Sequence, residues 1–168
     1  ACRMDDPVLF MEHKGLYRQG YCSTPEPDEN FLLPFGKARI VQEGNKLTII
    51  TWGAMVQKAI EAVKELNSST DAVEIIDLRT LNPLDKDSIG ASLEKTGKAL
   101  IVYEDNITNG PGAEIAAIIS QEYFEMLDGP IKRVAAKDVP VPFNWYLEEK
   151  VLPQTSDIVS AITELMEY

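Results

Sequence analysis

The chain has 168 residues, with 16 Lys plus Arg against 27 Asp plus Glu, and a net charge of -11. A chain of that length can bury roughly 70% of the surface its unfolded form exposes, so a single core needs no disulfide or metal to hold it. Its charge repels phosphate backbones and anionic bilayers alike, which sets nucleic acid and membrane aside as partners.

Two cysteines, Cys2 and Cys22, lie in the polar N-terminal part without the spacing of a disulfide framework, and this leads us to expect a reducing, cytoplasmic setting. The longest apolar runs are a handful of residues, too short to cross a bilayer, and no signal-peptide pattern opens the chain. Ala1 is not an initiator Met, and Pro7 to Met11 (PVLFM) reads as a strand with nothing before it to pair with, so the chain is expected to be cut from something longer.

Residues 14 to 36 carry Gly15, Gly20, Pro25, Pro27, Pro34 and Gly36 among acids, the composition of a linker, and a domain boundary is expected there. Ala38 to Val41, a Gly44-Asn45 turn and Leu47 to Trp52 together predict a β-hairpin entering a sheet. Val56, Ala59, Ile60, Val63 and Leu66 recur at helical spacing, with Asn67-Ser68-Ser69 as the close of that helix. Val73 to Leu78 is the second parallel strand and delivers Asp77 and Arg79 to its end. Asn82-Pro83 then turns the chain into a helix starting at Asp85, with Thr96-Gly97 as its stop.

Ala99 to Tyr103 predicts the third parallel strand, ending in Glu104-Asp105, followed by the Asn109-Gly110-Pro111-Gly112 loop. The next helix carries apolar residues from Ala113 to Leu127 over so wide an arc that it is expected to be largely covered, with Gly129-Pro130 as its break. Ile131 to Ala136 is the fourth parallel strand, Lys137 to Pro153 a loop bearing Pro and aromatic residues, and a last helix starts at Thr155 or Ser156. Strands alternating with helices predict a three-layer α/β/α fold: a mainly parallel five-stranded sheet with an antiparallel edge strand.

The chemical motifs are incomplete. Gly110-Pro111-Gly112 opens a helix after a strand, but Ile115 occupies the place of the third glycine of a dinucleotide fingerprint, and Glu104, Asp105 and Glu114 surround the spot where a pyrophosphate would sit. A tight strand-to-helix connection is the better reading. Gly97-Lys98 fails as a phosphate loop because Ala99 stands where Ser or Thr belongs. One histidine and two distant cysteines cannot make a structural zinc site. His13 is the only side chain with an ordinary pKa near neutrality, yet it ends an orphan strand and reads as a strand-end or linker residue rather than a general base.

Two surfaces stand out. The strand ends Trp52, Asp77 with Arg79, Glu104 with Asp105, and Lys137 with Asp138 should share one edge of the sheet, either as solvated exits or as a polar interface or site. Phe143, Trp145 and Tyr146 either roof the core or anchor an interface.

The segments DPVLFMEHKGLYR (Asp6 to Arg18), LPFGKARIVQEG (Leu33 to Gly44), IDLRTLNPLD (Ile76 to Asp85), NGPGAEIAA (Asn109 to Ala117) and DVPVPF (Asp138 to Phe143) resemble, in order, the C-terminal half of the β subunit of thiamine-diphosphate-dependent 2-oxo acid dehydrogenases. The resemblance implies that residues 1–18 end a pyrimidine-binding domain, 19–36 form a linker and 37–168 a transketolase C-terminal-type domain. It implies an enzyme part, in a branched-chain 2-oxo acid dehydrogenase or, alternatively, a pyruvate dehydrogenase, that assembles subunits and holds no catalytic or cofactor-binding residue. The isolated fragment is then expected to be inactive. Thiamine diphosphate with magnesium would belong to the parent enzyme and none would bind here.

The implied partners are the α subunit or the α part of a fused chain, a second β subunit forming a homodimer through this domain, and the subunit-binding domain of the dihydrolipoyl acyltransferase. By the same resemblance Asp77, Arg79, Glu104 and Asp105 form the subunit interface, and Glu125, Met126, Asp128, Lys132 and Tyr168 the acyltransferase docking surface. A domain that serves only as an oligomerisation or binding module is the reading from a different class.

Overall fold

A computed structural model describes residues 1–66 and 70–168, with the side chain of Thr70 left aside. The expected helix close at Asn67-Ser68-Ser69 lies outside the described residues. The chain divides into two compact units, Ala1–Leu32 and Leu33–Tyr168. In the first, 3-10 turns at Lys14–Leu16 and Gly20–Cys22 are the regular elements, and Tyr17 donates a hydrogen bond to Glu12. Pro7 to Met11 does not form the expected strand: an apolar run makes a strand only where a neighbour takes its backbone hydrogen bonds, and this run has no strand partner.

The second unit holds a five-stranded sheet of β1 (Arg39–Gln42), β2 (Leu47–Thr51), β3 (Val73–Asp77), β4 (Ala99–Asn106) and β5 (Lys132–Ala136), in the order β1-β3-β2-β4-β5. β1 runs antiparallel to β3; the other pairs are parallel. The five α-helices of the described residues are α1 (Met55–Glu65), α2 (Lys86–Thr96), α3 (Pro111–Glu122), α4 (Trp145–Val151) and α5 (Thr155–Met166).

Side-chain alternation along the strands splits the core in two. Leu47, Ile49, Val73, Ile75, Leu100 and Val102 pack with α1 and α5 on one face. Ile50, Ile76, Ile101 and Tyr103 pack with α2 and α3 on the other. All of β2 is buried, as the continuous apolar run of a central strand requires. Burial at roughly 25 cal/mol per Å² of apolar surface makes these two faces the main source of stability. This is the expected three-layer arrangement with an antiparallel edge strand.

Three expectations are corrected. β1 and β2 are not a hairpin, because β3 lies between them. Gly44 is buried against the start of β3, and a Cβ there would come within 2.2 Å of the Val73–Glu74 backbone. Asn45 and Lys46 donate to the Ala72 carbonyl at 3.3 and 2.8 Å, so the connection crosses over β3 instead of turning back. Second, α3 ends at Glu122 and is followed by a separate 3-10 turn at Phe124–Met126. It buries Gly112, Ile115 and Ile119, while Glu114 and Ala117 face solvent, as does Phe124 on the turn, so it is half covered. Third, the segment after β5 contains α4, whose Asn144 cap accepts from the Tyr146 and Leu147 amides at 3.0 and 3.4 Å.

Candidate functional site

Parallel pairing brings the strand ends together as expected, in the spatial order Asp77 and Arg79, Trp52, Glu104 and Asp105, then Lys137 and Asp138. Asp77 faces Arg39 across the antiparallel register. Burial holds its carboxyl above the ordinary range, and the Arg79 amide at 3.2 Å with the charges of Arg79 and Arg39 counters this only in part. Arg79 is exposed and adopts φ 57°, a left-handed backbone uncommon outside glycine.

Farther along the edge, the Trp52 and Tyr103 rings stack with centroids 5.5 Å apart. Arg133 Nη1 donates to the Tyr103 hydroxyl at 3.1 Å and to the Ile107 carbonyl at 2.6 Å. Asp138 accepts from the Thr108 hydroxyl at 2.6 Å and amide at 3.0 Å. The Thr108 hydroxyl, then its amide, lower the Asp138 carboxyl pKa despite slight desolvation, and Arg133 adds to the effect. Arg133 and Thr108 escaped the sequence reading. The signal for Arg133 was a charged residue in the middle of a strand, which requires a partner.

The glycine loop is a packing device. A Cβ on Gly112 would stand 2.0 Å from the Tyr103 ring, and one on Gly110 would stand 2.2 Å from the Asn106 carbonyl oxygen. Both glycines let α3 press onto Tyr103, the tight connection expected from sequence. Phe143, Trp145 and Tyr146 do not roof the core. All three are exposed, Phe143 completely, and α4 buries no residue.

The residues expected at the docking surface gather at the other end of the sheet, where the parallel strands begin. Glu125 and Met126 sit on the 3-10 turn, and the Asp128 amide donates to the Gly97 carbonyl at 2.7 Å. Lys132 is ion-paired with Glu164 of α5, and Tyr168 packs beside Gly129. Asn45, Lys46, Glu94, Lys98, Glu125 and Asp128 line an open groove of about 530 Å³. A five-residue strand at roughly 3.3 Å per residue separates the two ends by about 16 Å.

Beneath the groove, fully buried Glu74 accepts from Ser92 Oγ, from Lys95 Nζ and, at 3.3 Å, from the Gly44 amide. Ser92 and Thr96 in turn meet the Thr48 hydroxyl at 2.6 and 2.7 Å. Every buried side-chain polar atom among the described residues has a partner. The sequence reading passed over Glu74, although a carboxylate inside VEIID marks a polar network in the core.

Among the described residues no group of three His, Cys, Asp or Glu could hold a metal, and no helix is long and apolar enough to cross a membrane. Cys2 and Cys22 are free and exposed. His13 belongs to the first unit and lines a cleft there with Phe10, Leu16, Tyr17 and Cys22. The geometry thus offers two polar edges, one at each end of the sheet, and among the described residues no nucleophile, base and oxyanion donor are brought to one point.

The family model for the transketolase C-terminal domain matches residues 36–158. The β subunit of the pyruvate dehydrogenase E1 component from Staphylococcus aureus is 43% identical over all 168 residues, and that of Rickettsia felis 42%. The match takes in 51% of each, so the chain spans about half the length of the curated relatives it matches. A solved split-gene transketolase, described as an inactive β4 tetramer, superposes with a TM-score of 0.69 at 28% identity, covering 85% of this chain and 46% of that one. The 2-oxoglutarate:ferredoxin oxidoreductase of Magnetococcus marinus shares the fold alone, with a TM-score of 0.52 at 15% identity over 77% of this chain and 19% of its own.

Proposed function

The chain belongs to the transketolase C-terminal domain family, and from that premise we propose that it is the assembly domain of the β subunit of a thiamine-diphosphate-dependent 2-oxo acid dehydrogenase acting on pyruvate. The single observation that carries this is the match over the whole chain to pyruvate dehydrogenase β subunits. Sequence motifs alone put the branched-chain substrate first; the named relatives favour the pyruvate alternative.

The residues present do not fit thiamine diphosphate. The α3 N-terminus is filled by Tyr103 and the Asn106 carbonyl, Glu114 stands in its first turn, and the described residues offer no metal cluster. No chemical step is therefore routed through this chain, and the cofactor with its magnesium is assigned to other parts of the parent enzyme. In this reading Asp77, Arg79, Glu104 and Asp105 meet the α subunit and a second β subunit. Glu125, Met126, Asp128, Lys132 and Tyr168 receive the subunit-binding domain of the dihydrolipoyl acyltransferase.

The test is reconstitution of the parent β subunit with its α subunit, followed by acylation of a lipoyl domain with pyruvate or with 2-oxoisovalerate. Faster acylation from pyruvate is expected. Preference for 2-oxoisovalerate would restore the branched-chain reading, and no acylation from either would leave the domain as an oligomerisation or binding module.

A further inference from the structure

Asp85 is 3% exposed, yet it accepts hydrogen bonds both from nearby Ser88 and from Ala38, 47 residues before it. Oδ1 accepts from the Ser88 amide at 3.2 Å and caps α2, with Lys37 Nζ 3.9 Å away. Oδ2 accepts from the Ser88 hydroxyl at 2.7 Å and from the Ala38 amide at 2.8 Å. Both oxygens therefore face donors, a pattern that an ionised carboxylate satisfies and that an amide, one donor and one acceptor, cannot. A helix cap needs only one oxygen, so the second has another task.

That task lies in the segment leading into β1. The Gly36 amide donates to the Thr80 hydroxyl at 3.0 Å, and Gly36 takes φ 66° with its Cα face against Pro83. The loop that follows β3 thus grips residues 36 to 38 at two points. Among the described residues β1 is an edge strand whose ladder partner is β3, with a register shift between Ile40 and Gln42, so few ladder bonds secure it.

We infer that Asp85 is a latch that fixes the opening segment of the second unit and, through it, the edge strand β1 with Arg39 beside Asp77. The role is one of positioning. It does not depend on the proposed function, because it concerns the second unit alone.

Hydrogen exchange on the 168-residue chain tests it with Asp85→Asn and Thr80→Val. Asparagine caps a helix as well as aspartate does, so with its oxygen on the Ser88 amide α2 keeps its start, while its amide nitrogen confronts the Ala38 N–H donor. Asp85→Asn should speed exchange at Ala38 and in β1 at least about tenfold, the factor that corresponds to roughly 1.4 kcal/mol, with β2 and β4 unchanged. Thr80→Val should do the same at Gly36 without touching the cap. Unchanged exchange in residues 36 to 42 overturns the inference, as does an equal rise over all strands, which would make Asp85 a general stability residue. Should Asp85→Asn fail to fold, the Thr80→Val result decides alone: a rise confined to residues 36 to 42 supports the latch, and none overturns it.

Discussion

Arg79 holds a left-handed backbone that costs an L-residue about 1–2 kcal/mol. Replacing it with glycine removes that strain, while the greater freedom of glycine in the unfolded chain takes back roughly 0.5–1 kcal/mol. Arg79→Gly should then change the stability of the chain by less than about 1 kcal/mol in urea melts, and Arg79→Ala, which keeps the strain, should be no more stable than wild type. If the guanidinium makes the subunit contact, both variants should weaken assembly equally in sedimentation of the reconstituted enzyme, before the chemical step is affected. A loss seen only with glycine would place the effect in the backbone. Asp77 makes a pH-dependent companion. Its folded carboxyl titrates above the ordinary 3.8 because burial disfavours the charge. The favourable contribution of the protonated form is fully present below 3.8 and declines as pH rises through the elevated folded value. Asp77→Asn removes this decline, so the variant should match or exceed wild type in denaturant melts at neutral pH and lose its advantage below 3.8. A variant less stable at neutral pH would mean that the Arg39 and Arg79 charges outweigh the burial.

At the scale of elements, α3 depends on glycine where it crosses Tyr103. Gly112→Ala would drive a methyl into the ring and should cost about 1–3 kcal/mol by chemical denaturation. In a Tyr103→Leu background the cost should shrink, and additivity of the two changes would disprove the contact. The same loop shows what a sequence discloses and what it withholds. A glycine pair after a strand and before a helical period predicts a tight connection, since backbone geometry and spacing are local. β3 and β4, the Asp85 start and the Gly97 stop of α2 were legible for the same reason: each is marked by an apolar run, a cap or a residue that accepts positive φ. The pairing of β1 was not. Gly44-Asn45 reads as a hairpin turn, and only the Val73 backbone beneath Gly44 shows that a distant strand has been inserted. α4 was missed because it buries none of its residues, so no apolar stripe marks its period. Asp77 with Arg79 was found from its place at a strand end, whereas the partners of Arg133 and Thr108 become visible only when β5 lays Arg133 and Asp138 beside the segment that follows β4.

For the whole molecule, the sheet sets two polar edges about 16 Å apart, one at the start and one at the end of its parallel strands, and the proposed function gives each its own partner. Edges so separated, without shared partners, should act additively. The groove at the starting edge balances Lys46, Lys95 and Lys98 against Glu94, Glu125 and Asp128, and Lys132 is neutralised by Glu164. In the proposed complex the overall charge of -11 would draw a basic partner from a distance, while the local contact would have to select the acidic side of the groove. In the proposed complex, Glu125→Lys with Asp128→Lys should weaken capture of a basic subunit-binding domain by up to about thirtyfold, the sum of two exposed pairs of up to about 1 kcal/mol each. Lys46→Glu with Lys98→Glu should strengthen it. Both effects should shrink as salt shortens the screening length, and neither should alter assembly of the α and β subunits. Arg79→Ala should show the opposite profile, with intact capture and impaired assembly. Titration calorimetry at two salt concentrations beside sedimentation of the same preparations separates the two edges: loss of both properties in either set of variants would mean that one surface serves both partners.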